Sequence, residues 1–554
     1  MKLASNKLLL AAAITGLLAG CDSGGINIAP VNEDNSVDNS VSGGGDTGSE
    51  NNPCASYEKA GVTKQGTFDS ETGNCTYSAS FVDSGNALTV DLFIPALENN
   101  GAHIFEGSLF VGNNYDDDTT MGAAGIAEGG DGAKLTVEAG ATIAFPNSTK
   151  FMVVNRGSQL FAVGTQQAPI TFTSLSDVEG TVGPEDVQQW GGMVINGFGL
   201  TNKCSYDADM NTSECHVLAE GAAGKDQSNY GGANNDDSSG QLEYVRVKHT
   251  GAEVANGDEL NGITFSAVGG GTIVKNLQVY STYDDGIEMF GGAVSFENYL
   301  AMYVRDDSID IDEGWAGSIT NALVIQSGTD GNHCIESDGI GSYDSANDYS
   351  ALIAAGLNSR PVIDGLTCII SANGADTATH DPGAGWRFRE GIFPMITNSM
   401  VVASYSADTT GVDGSNYCLR VESDETAAAL AAGTEAAITS NIFACADKTK
   451  GGPIGTDELE AWTVASGNVF ANVPADAALN PTAAADTGLQ ILEGTPSVFS
   501  IATDSMMVND AAVGITPVER AYLGALSLGD TDWTQGWTYG LHEGSRAQAL
   551  WFEQ

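Results

Sequence analysis

Three consecutive stretches decide the fold of this chain: TIVKNLQVYSTYDDGIEMFGG (272–292), VSFENYLAMYVRDDSIDIDEGW (294–315) and SITNALVIQSGTDGNHCIESDG (318–339). Asn276, Asn298 and Asn321 occupy the same place in each stretch, at spacings of 22 and 23 residues. Short β-prone runs alternate with Gly, Asn or Asp, and no helical periodicity intervenes. Repeats of this length, built from short strands and tight turns, predict an all-β parallel solenoid in which each strand pairs with its equivalent in the next coil.

The repeat extends beyond these three units. Looser copies follow as PVIDGLTCIIS from Pro361 and ITNSMVVAS from Ile396, and KLTVEAGATIAF precedes them. We therefore predict a solenoid over residues 101–470, with caps over 53–100 and 471–554, because uncovered solenoid edges invite edge-to-edge pairing. An array of β-sandwiches is the alternative, but it offers no reason for the period.

The aligned asparagines are expected to be structural. Asn276, Asn298, Asn321, Asn398 and Asn441 fall at one turn of successive coils. Side-chain amides at such positions can hydrogen-bond along the stack and satisfy polar groups of the turn. We therefore predict an asparagine ladder there rather than a ligand site.

The second half of each unit carries acidic residues at matching positions. Alternation along a strand places Glu288, Asp310 and Glu336 on one face, one coil apart, with Asp285 on the other side of its strand from Glu288. Carboxylates ~5 Å apart must take up a proton or share a cation. Clustered carboxylate oxygens suit calcium. We therefore predict a calcium site formed by Asp284, Asp285, Asp306, Asp307, Asp310 and Asp312.

Two other interpretations of the acidic residues stay open. A carboxyl of raised pKa beside an ionised partner is what glycosidases use as acid and base. A solvated acidic face is also expected on so acidic a protein. Acidic loops such as NNYDDDTT (113–120) could bind calcium loosely.

Aromatic and cationic residues border the acidic positions. We predict a ligand groove formed by Tyr283, Glu288, Asp310, Trp315, Glu336, Trp386, Arg387 and Arg389, with the aromatic rings stacking on sugars. The alternative for the arginines is pairing with Glu336, Glu390 and Glu422 within a charge ladder. His249 and His333 stand apart from other metal-ligating residues in the sequence and are not expected to bind metal.

Charge limits the possible partners. Lys and Arg number 21 against 72 Asp and Glu, which gives a formal net charge of −51. Such a surface repels phosphate backbones, so no nucleic-acid partner is expected, whereas metal ions or cationic ligands suit it. No Gly-x-Ser-x-Gly, Walker or His-Glu-x-x-His motif occurs, which removes the corresponding hydrolase, nucleotide and zinc-protease interpretations.

The N-terminus indicates export. Residues 1–20 have the layout of a secretory signal, with Lys2 and Lys7 before an apolar run. Leu17-Leu18-Ala19-Gly20-Cys21 resembles the lipobox of bacterial lipoproteins, which implies lipidation of Cys21 and a membrane anchor. Residues 21–52, rich in Gly, Ser, Asn and Asp, predict a flexible tether.

Eight cysteines remain after Cys21, an even number that predicts disulfides in an exported chain. Their order suggests pairing between neighbours, although eight cysteines allow about 105 arrangements. The suggested pairs are Cys54–Cys75, Cys204–Cys215, Cys334–Cys368 and Cys418–Cys445.

The coil pattern resembles the right-handed parallel β-helix of pectate-lyase-like proteins. WGGMVINGF (190–198), YDDGIEMFGG (283–292) and the ending from Ala521 through Trp533 to Trp537 resemble a largely uncharacterised group of β-helix lipoproteins from Gram-negative bacteria. This resemblance implies a lipid-anchored envelope protein, in the outer membrane rather than the inner one.

Three functions fit these observations. The first is binding of an extended ligand, a carbohydrate by expectation, with the help of calcium. The second is enzymatic, as a polysaccharide lyase or glycoside hydrolase. The third is a structural or adhesive role, or that of an accessory lipoprotein to an outer-membrane uptake receptor.

Overall fold

Adjacent repeats pair in parallel with no shift of register. In the computed structural model, Ile287 lies opposite Ile309 and Glu288 opposite Asp310. The structure describes residues 52–126, 132–204, 214–220, 228–255, 258–328, 330–370, 383–403, 417–445, 447–470, 492–494, 498–500, 507–508, 511–512, 515, 517–526 and 532–550. The predicted signal sequence, the lipidation of Cys21 and all but the last residue of the predicted tether lie outside the described residues.

The elements are short strands with a few helices. The first strands are β1 (Ser56–Lys59), β2 (Val62–Gln65), β3 (Thr67–Asp69), β4 (Asn74–Tyr77), β5 (Leu92–Ile94), β6 (Ala102–Phe105), β7 (Leu109–Val111), β8 (Lys134–Val137), β9 (Thr142–Phe145), β10 (Met152–Val154), β11 (Gln159–Val163), β12 (Ile170–Ser174), β13 (Met193–Asn196), β14 (Val217–Leu218) and β15 (Asn229–Tyr230). The middle strands are β16 (Gly240–Thr250), β17 (Glu253–Ala255), β18 (Asp258–Glu259), β19 (Ile263–Ser266), β20 (Ile273–Thr282), β21 (Ile287–Phe290), β22 (Ser295–Met302), β23 (Ile309–Asp312), β24 (Ser318–Ile325), β25 (His333–Ser337) and β26 (Val362–Ile370). The last strands are β27 (Ala384–Phe388), β28 (Met395–Thr397), β29 (Met400–Ala403), β30 (Tyr417–Val421), β31 (Ala437–Thr439), β32 (Ile442–Ala444), β33 (Asp447–Lys450), β34 (Val469–Phe470), β35 (Leu492–Gly494), β36 (Val498–Ser500), β37 (Met507–Val508) and β38 (Ala511–Ala512). The helices are α1 (Asp118–Ala123), α2 (Leu175–Val178), α3 (Ser350–Ala354), α4 (Asp424–Ala432) and α5 (Thr456–Ala465), with a 3₁₀ turn at Glu98–Asn100.

Two long parallel sheets form the wall of the solenoid. Sheet 1 stacks ten described strands in the order β7, β10, β13, β19, β21, β23, β25, β27, β30 and β33. Sheet 2 contains the long strands β16, β20, β22, β24 and β26, which pair in parallel with one another. The all-β parallel β-helix predicted from the repeat is confirmed.

Each long strand of sheet 2 bends at a residue with positive φ. Asn276, Asn298 and Asn321 have φ angles of 52°, 63° and 57°. Asparagine tolerates this left-handed conformation better than most residues, which explains its recurrence. Asn298 Nδ2 donates to Asn276 Oδ1 at 3.0 Å, and Asn321 Nδ2 donates to Asn298 Oδ1 at 3.1 Å. The predicted asparagine ladder is therefore present.

The ladder differs from the prediction at its far end. Asn398 occupies the bend with a φ of 54°, but in the next coil the positive φ belongs to Ser440, not Asn441. Asn441 lies one residue later and donates to Asn468 Oδ1 at 3.0 Å. Its amide still supports the stack, from a neighbouring column.

The interior is a continuous apolar core. Strand residues of sheet 1 such as Ile287, Ile309 and Ile335 point inward and pack with residues of sheet 2. Trp315 and Trp386 belong to this core and expose none of their surface. Burial of large side chains of this kind is the main favourable contribution to folding.

The two ends of the stack differ from the predicted caps. Antiparallel hairpins β1–β2 and β3–β4 stand at the N-terminal end. However, β4 already pairs in parallel with β6, and β5 with β8, so the predicted boundary at residue 101 falls inside the stacked region. At the other end, Leu459 of α5 is buried in the core beside Phe470, so this helix covers the last coil.

The described part of the predicted C-terminal cap lies on the side of the solenoid. We call residues 517–526 and 532–550 the C-terminal arm. Leu523, Ala525 and Leu541 of the arm pack against Leu300 and Leu323, whose side chains point outward from sheet 2. The arm therefore covers a sheet face, whereas the prediction had this tail cover an edge. The tail lacks the repeat because it is not a coil.

All four predicted disulfides form. They join Cys54 to Cys75, Cys204 to Cys215, Cys334 to Cys368 and Cys418 to Cys445. Cys334–Cys368 joins β25 of sheet 1 to β26 of sheet 2. Cys418–Cys445 joins β30 of sheet 1 to the residue that follows β32 of sheet 2. Among the helices in the described ranges, none is long and apolar enough to cross a bilayer.

Candidate functional site

One outward-facing column of sheet 1 changes from acidic to basic along the solenoid. Register pairing aligns Thr264, Glu288, Asp310, Glu336, Arg387, Arg420 and Lys450, one residue per coil. Successive coils are ~4.8 Å apart. The sequence prediction that Glu288, Asp310 and Glu336 share one face is borne out by this register. Three acidic positions are followed directly by three basic ones.

Two overlapping groups of carboxylates form at the acidic end. Asp285, Glu288 and Asp310 each bring one oxygen within 4.8 Å of the others, and so do Asp284, Asp285 and Asp306. Asp285 belongs to both groups because it precedes β21 in a turn, so strand alternation does not apply to it. The expectation that Asp285 and Glu288 point to opposite sides is therefore wrong.

The backbone and one amide fix these carboxylates in place. The Asp307 N–H donates to Asp285 Oδ1 at 2.9 Å. Asn261 Nδ2 donates to Glu288 Oε2 at 2.5 Å, and the Asp285 N–H donates to Asn261 Oδ1 at 3.2 Å. Asn261 therefore orients both acidic residues, a role that no sequence pattern indicated.

Burial and mutual repulsion perturb these acids. The exposed fraction is 7% for Asp285 and 6% for Glu288. Desolvation raises the pKa of Asp284, Asp285, Glu288 and Asp310 well above the usual range, and neighbouring carboxylates raise each pKa further. The arrangement therefore favours binding a proton or a cation. A merely solvated acidic face does not bury its carboxylates.

Two acids outside the predicted set also act on this cluster. Glu220 contributes to the raised pKa values of Asp284 and Glu288, and Glu259 contributes to that of Asp284. Neither lies in the three aligned repeats. Glu259 ends β18 and Glu220 lies shortly after β14, so only the fold brings them near the coils.

Asp307 and Asp312 face other partners. Asp307 Oδ1 accepts from the His333 main-chain N–H at 2.6 Å and lies 2.9 Å from His333 Nδ1. Asp312 Oδ1 accepts from the Glu313 N–H at 2.6 Å. Asp312 belongs to neither carboxylate group among the described residues. Of the six predicted calcium ligands, Asp284, Asp285, Asp306 and Asp310 converge, with Glu288 as an addition.

His333 is not isolated, contrary to the sequence prediction. Its ring lies between Asp307 and Tyr417, and Asp307, His333 and Glu336 bring ligand atoms within 4.8 Å of one another. Burial lowers the pKa of His333 to about 4, so the ring is neutral. Because Glu336 also binds two arginines, this trio is a poor cation site.

The arginines in the basic half of the column form ion pairs with nearby carboxylates. Arg387 Nη1 lies 2.6 Å from Glu336 Oε1, and its Nε lies 2.9 Å from Glu422 Oε2. Arg389 Nη2 lies 2.6 Å from both Glu336 Oε2 and Asp338 Oδ2. The predicted alternative of a charge ladder is thus the observed one for Glu336 and Glu422.

A second trio, Asp118, Glu214 and His216, also brings ligand atoms within 4.8 Å of one another. Asp118 comes from the acidic loop that was expected to bind calcium loosely. However, Arg156 Nη2 lies 2.9 Å from His216 Nδ1 and donates to it, so the proton of the neutral ring resides on Nε2. That nitrogen lies 3.0 Å from Asp118 Oδ1, although neither atom makes a hydrogen bond among the described residues. Because a protonated ring nitrogen cannot bind a metal ion, the trio is a poor cation site.

Family comparison agrees with this architecture. The family model described as a pectate-lyase like beta helix domain matches residues 115–538. The chain belongs to this family. No curated protein matches the chain in sequence. A structural match is the Dettilon tailspike protein, at 13% identity and a TM-score of 0.22, covering 67% of this chain and 54% of the tailspike. The match thus spans about half of the tailspike's length.

The predicted aromatic residues of this β-helix domain do not form a stacking platform. Trp315 and Trp386 are fully buried in the core, and Trp315 Nε1 donates to the Val294 carbonyl at 3.1 Å. The prediction that they contact a ligand is wrong, because both side chains point into the solenoid. Tyr283 is half-buried and adjoins Asp284, so it is the aromatic residue of the predicted groove that borders the carboxylates.

Proposed function

We propose that the acidic end of the sheet 1 column binds a divalent cation and that an extended carbohydrate binds along the same face. The ligands of the cation are Asp284, Asp285, Glu288, Asp306 and Asp310. Oxygen-only donors favour calcium over metals that prefer nitrogen or sulfur ligands. We name this set the cation cluster.

Ion pairing differs between the two ends of the sheet 1 column. In the part of the chain that the structure describes, no ion pair within 4.0 Å joins the cation cluster to Lys, Arg or His, whereas Glu336, Asp338 and Glu422 one to four coils away are all paired with arginine. Buried charges are paired or bind metal ions in stable proteins. A bound cation would supply the charge that the arginines supply elsewhere.

The proposed carbohydrate site uses the rest of the column. Glu288, Asp310 and Glu336 continue into Arg387 and Arg420, so a ligand along the solenoid would meet the cation first and guanidinium groups next. The pectate-lyase-like description of the family supports a polysaccharide ligand. A cation and an arginine at the ends of such a ligand both favour anionic sugars.

Anchoring belongs to the same proposal. We propose that the β-helix is tethered through a lipid on Cys21 and works in the cell envelope, at the outer membrane. A lipid and a tether of about thirty residues would hold the ligand face away from the bilayer. Mass spectrometry of the membrane-extracted protein tests this, since an unmodified Cys21 would contradict it.

Calorimetric titration tests the cation site. The full chain is stripped with a chelator and titrated with calcium and, separately, with magnesium. We expect calcium binding that is lost or weakened about tenfold or more in Glu288→Gln and Asp310→Asn, since each removes a charged ligand. Glu297→Gln is the matched control, because Glu297 is half-exposed and pairs with Lys275 on sheet 2. Absence of calcium binding by the wild type would overturn the cation site.

A glycan panel tests the ligand. We expect calcium-dependent binding of an acidic polysaccharide, lost in Asp310→Asn and reduced in Arg387→Gln. Binding unchanged by chelation would contradict the shared face. The same mixtures are assayed for reducing ends and unsaturated sugars. Product formation would favour the lyase or hydrolase interpretation, and a receptor captured without glycan would favour the accessory one.

A further inference from the structure

The outward side of sheet 2 is apolar and is covered by the C-terminal arm. Leu300, Leu323, Thr367 and Met400 follow one another in register on this side, beside Met302 and Ile325. The arm packs Leu523, Ala525, Leu526, Leu541 and Leu550 onto them. The arm has no repeat of its own and adds no strand to sheet 2 within the described residues.

Asn398 and Gln278 of the solenoid each pair with a peptide group of the arm through both the donor and the acceptor of the side-chain amide. Asn398 Nδ2 donates to the Val518 carbonyl at 2.8 Å, and its Oδ1 accepts from the Val518 N–H at 2.7 Å. Gln278 Nε2 donates to the Tyr539 carbonyl at 2.7 Å, and Gln278 Oε1 accepts from the Tyr539 N–H at 2.8 Å. A primary amide offers one donor and one acceptor side by side, so it pairs with a peptide group as another strand would.

Arg520 of the arm contacts the asparagine ladder through its side chain. The long strands bend at Asn276, Asn298 and Asn321, but the equivalent residue of β26 is Gly365, with a φ of 78°. A β-carbon placed on Gly365 would lie 1.8 Å from Arg520 Nη1. The missing side chain therefore leaves a slot in the asparagine ladder that the guanidinium occupies.

The guanidinium continues the ladder that Gly365 interrupts. Arg520 Nη2 donates to Asn321 Oδ1 at 2.9 Å, as the Asn321 amide donates to Asn298 in the coil before. Arg520 Nη1 lies 3.2 Å from Asp364 Oδ2, and Asn398 Nδ2 donates to Asp364 Oδ1 at 2.6 Å. The Arg520 guanidinium thus supplies the N–H that the side-chain amide of an asparagine at position 365 would otherwise donate to Asn321.

We infer that the C-terminal arm is a separable latch whose position is set by Arg520 in the Gly365 slot. The strands of the solenoid pair through their own main-chain groups without the arm. The arm hydrogen-bonds to further solenoid side chains, among them those of Gln166, Arg246 and Thr367, and to the Asn398 carbonyl. The latch closes over an apolar face when Arg520 enters the slot. Filling the slot with a side chain displaces Arg520 and raises the population of the open arm while the coils stay stacked. This device is independent of the cation cluster, which lies on sheet 1.

Gly365→Asn tests the latch. Asparagine tolerates a positive φ and supplies the amide that the ladder lacks, so the coils are expected to retain their far-ultraviolet circular dichroism and all four disulfides. Residues 471–554 contain two trypsin sites, Arg520 and Arg546. We expect cleavage after them in the full chain to accelerate on the order of tenfold or more, because proteolysis follows the population of the open form.

A second variant and a control make the outcome decisive. Arg520→Lys leaves the coils untouched and keeps the trypsin site but loses the planar fork, so cleavage is expected to accelerate there too. Gly433→Asn is the control, since Gly433 also has a left-handed φ of 64° but its β-carbon would meet nothing within 4 Å. Wild-type cleavage rates in both Gly365→Asn and Arg520→Lys would overturn the inference.

Discussion

His333 Nε2 lies 2.8 Å from the hydroxyl of Tyr417 although a whole coil separates the two residues. The residue between them is Ala384, which pairs in register with His333 and, through Trp386 opposite Leu419, with Tyr417. Its methyl group is small enough for the two side chains to meet over it. Because Asp307 accepts from Nδ1–H, the Tyr417 hydroxyl donates to Nε2.

Tyr417→Phe is expected to lower the free energy of unfolding by about 1–3 kcal/mol, because it leaves the buried Nε2 of His333 without its donor. Ala384→Leu is expected to cost at least as much, since its side chain fills the space between the rings. Urea unfolding at neutral pH measures both. Tyr115→Phe is the control, a half-buried tyrosine of the N-terminal coils. An unchanged midpoint in both variants would show that the contact contributes nothing.

Stability without calcium is expected to fall as the pH rises. Burial raises the folded-state pKa of Glu288 well above the unfolded value of about 4.3. Between these two values the folded protein keeps a proton that the unfolded chain has lost, so the contribution of Glu288 to stability is undiminished below pH ~4 and declines above it. Glu288→Gln removes this contribution, so the difference in melting temperature between variant and wild type should widen from pH 4 to 8 in chelator.

Calcium is expected to reverse the loss of stability that accompanies rising pH. A ligand that binds only the folded state adds about 2.7 kcal/mol to the free energy of unfolding when its concentration is about 100 times its Kd. The wild type should therefore recover stability in calcium at pH 8, while Glu288→Gln gains less. Histidines of lowered pKa, such as His333 and His103, act in the opposite sense but equally in both proteins. A difference in melting temperature that stays constant with pH would contradict the raised pKa.

The repeat predicts most of the fold because each rung obeys the same local rules. Asn298 shows why: a residue that tolerates positive φ must recur at each bend, so the period can be read from the sequence. The same register brought Glu288, Asp310 and Glu336 together correctly. Tail residues such as Arg520 escape this logic, since nothing local connects Arg520 to a glycine 155 positions earlier.

The errors at the candidate site have a common physical cause. A shift of one residue along a strand exchanges inward and outward faces. Trp386 pairs with Ile335 and points inward, while Arg387 beside it points outward. Asp285 lies before its strand, where alternation gives no guidance. His333 meets its partner two coils away, and only knowledge of Ala384 in the intervening coil could have indicated it.

Asn298→Ala is expected to cost about 2–4 kcal/mol in free energy of unfolding. The substitution removes hydrogen bonds to Asn276 and Asn321. It also places alanine at a φ of 63°, which costs roughly 1–2 kcal/mol. Asn298→Gly separates the two effects, because glycine loses the hydrogen bonds but adopts the bend freely. Equal losses in the two variants would mean that the bend imposes no strain.

The ion pair of Arg389 with Asp338 is expected to show strong coupling. Arg389 binds both oxygens of Asp338, with Nε 2.7 Å from Oδ1 and Nη2 2.6 Å from Oδ2. Arg389→Gln leaves two carboxylates without this guanidinium and should cost about 3 kcal/mol. Adding Asp338→Asn should restore part of the loss, giving a coupling energy of about 1–3 kcal/mol in a double-mutant cycle. Additive single-variant effects would assign no coupling to the pair.

Trp386→Phe distinguishes a core residue from a ligand contact. Trp386 exposes no surface, packs against Phe443 with ring centroids 5.0 Å apart, and directs Nε1 toward Cys368 Sγ at 3.5 Å. Phenylalanine would leave part of that volume empty, so unfolding should become easier by about 1–3 kcal/mol. Calcium and glycan affinity measured well below the melting temperature should match the wild type, whereas Arg387→Gln at the next residue should weaken glycan binding with a smaller loss of stability. If Trp386→Phe weakened glycan binding more than Arg387→Gln does, the bound ligand would have to reach the interior of the solenoid.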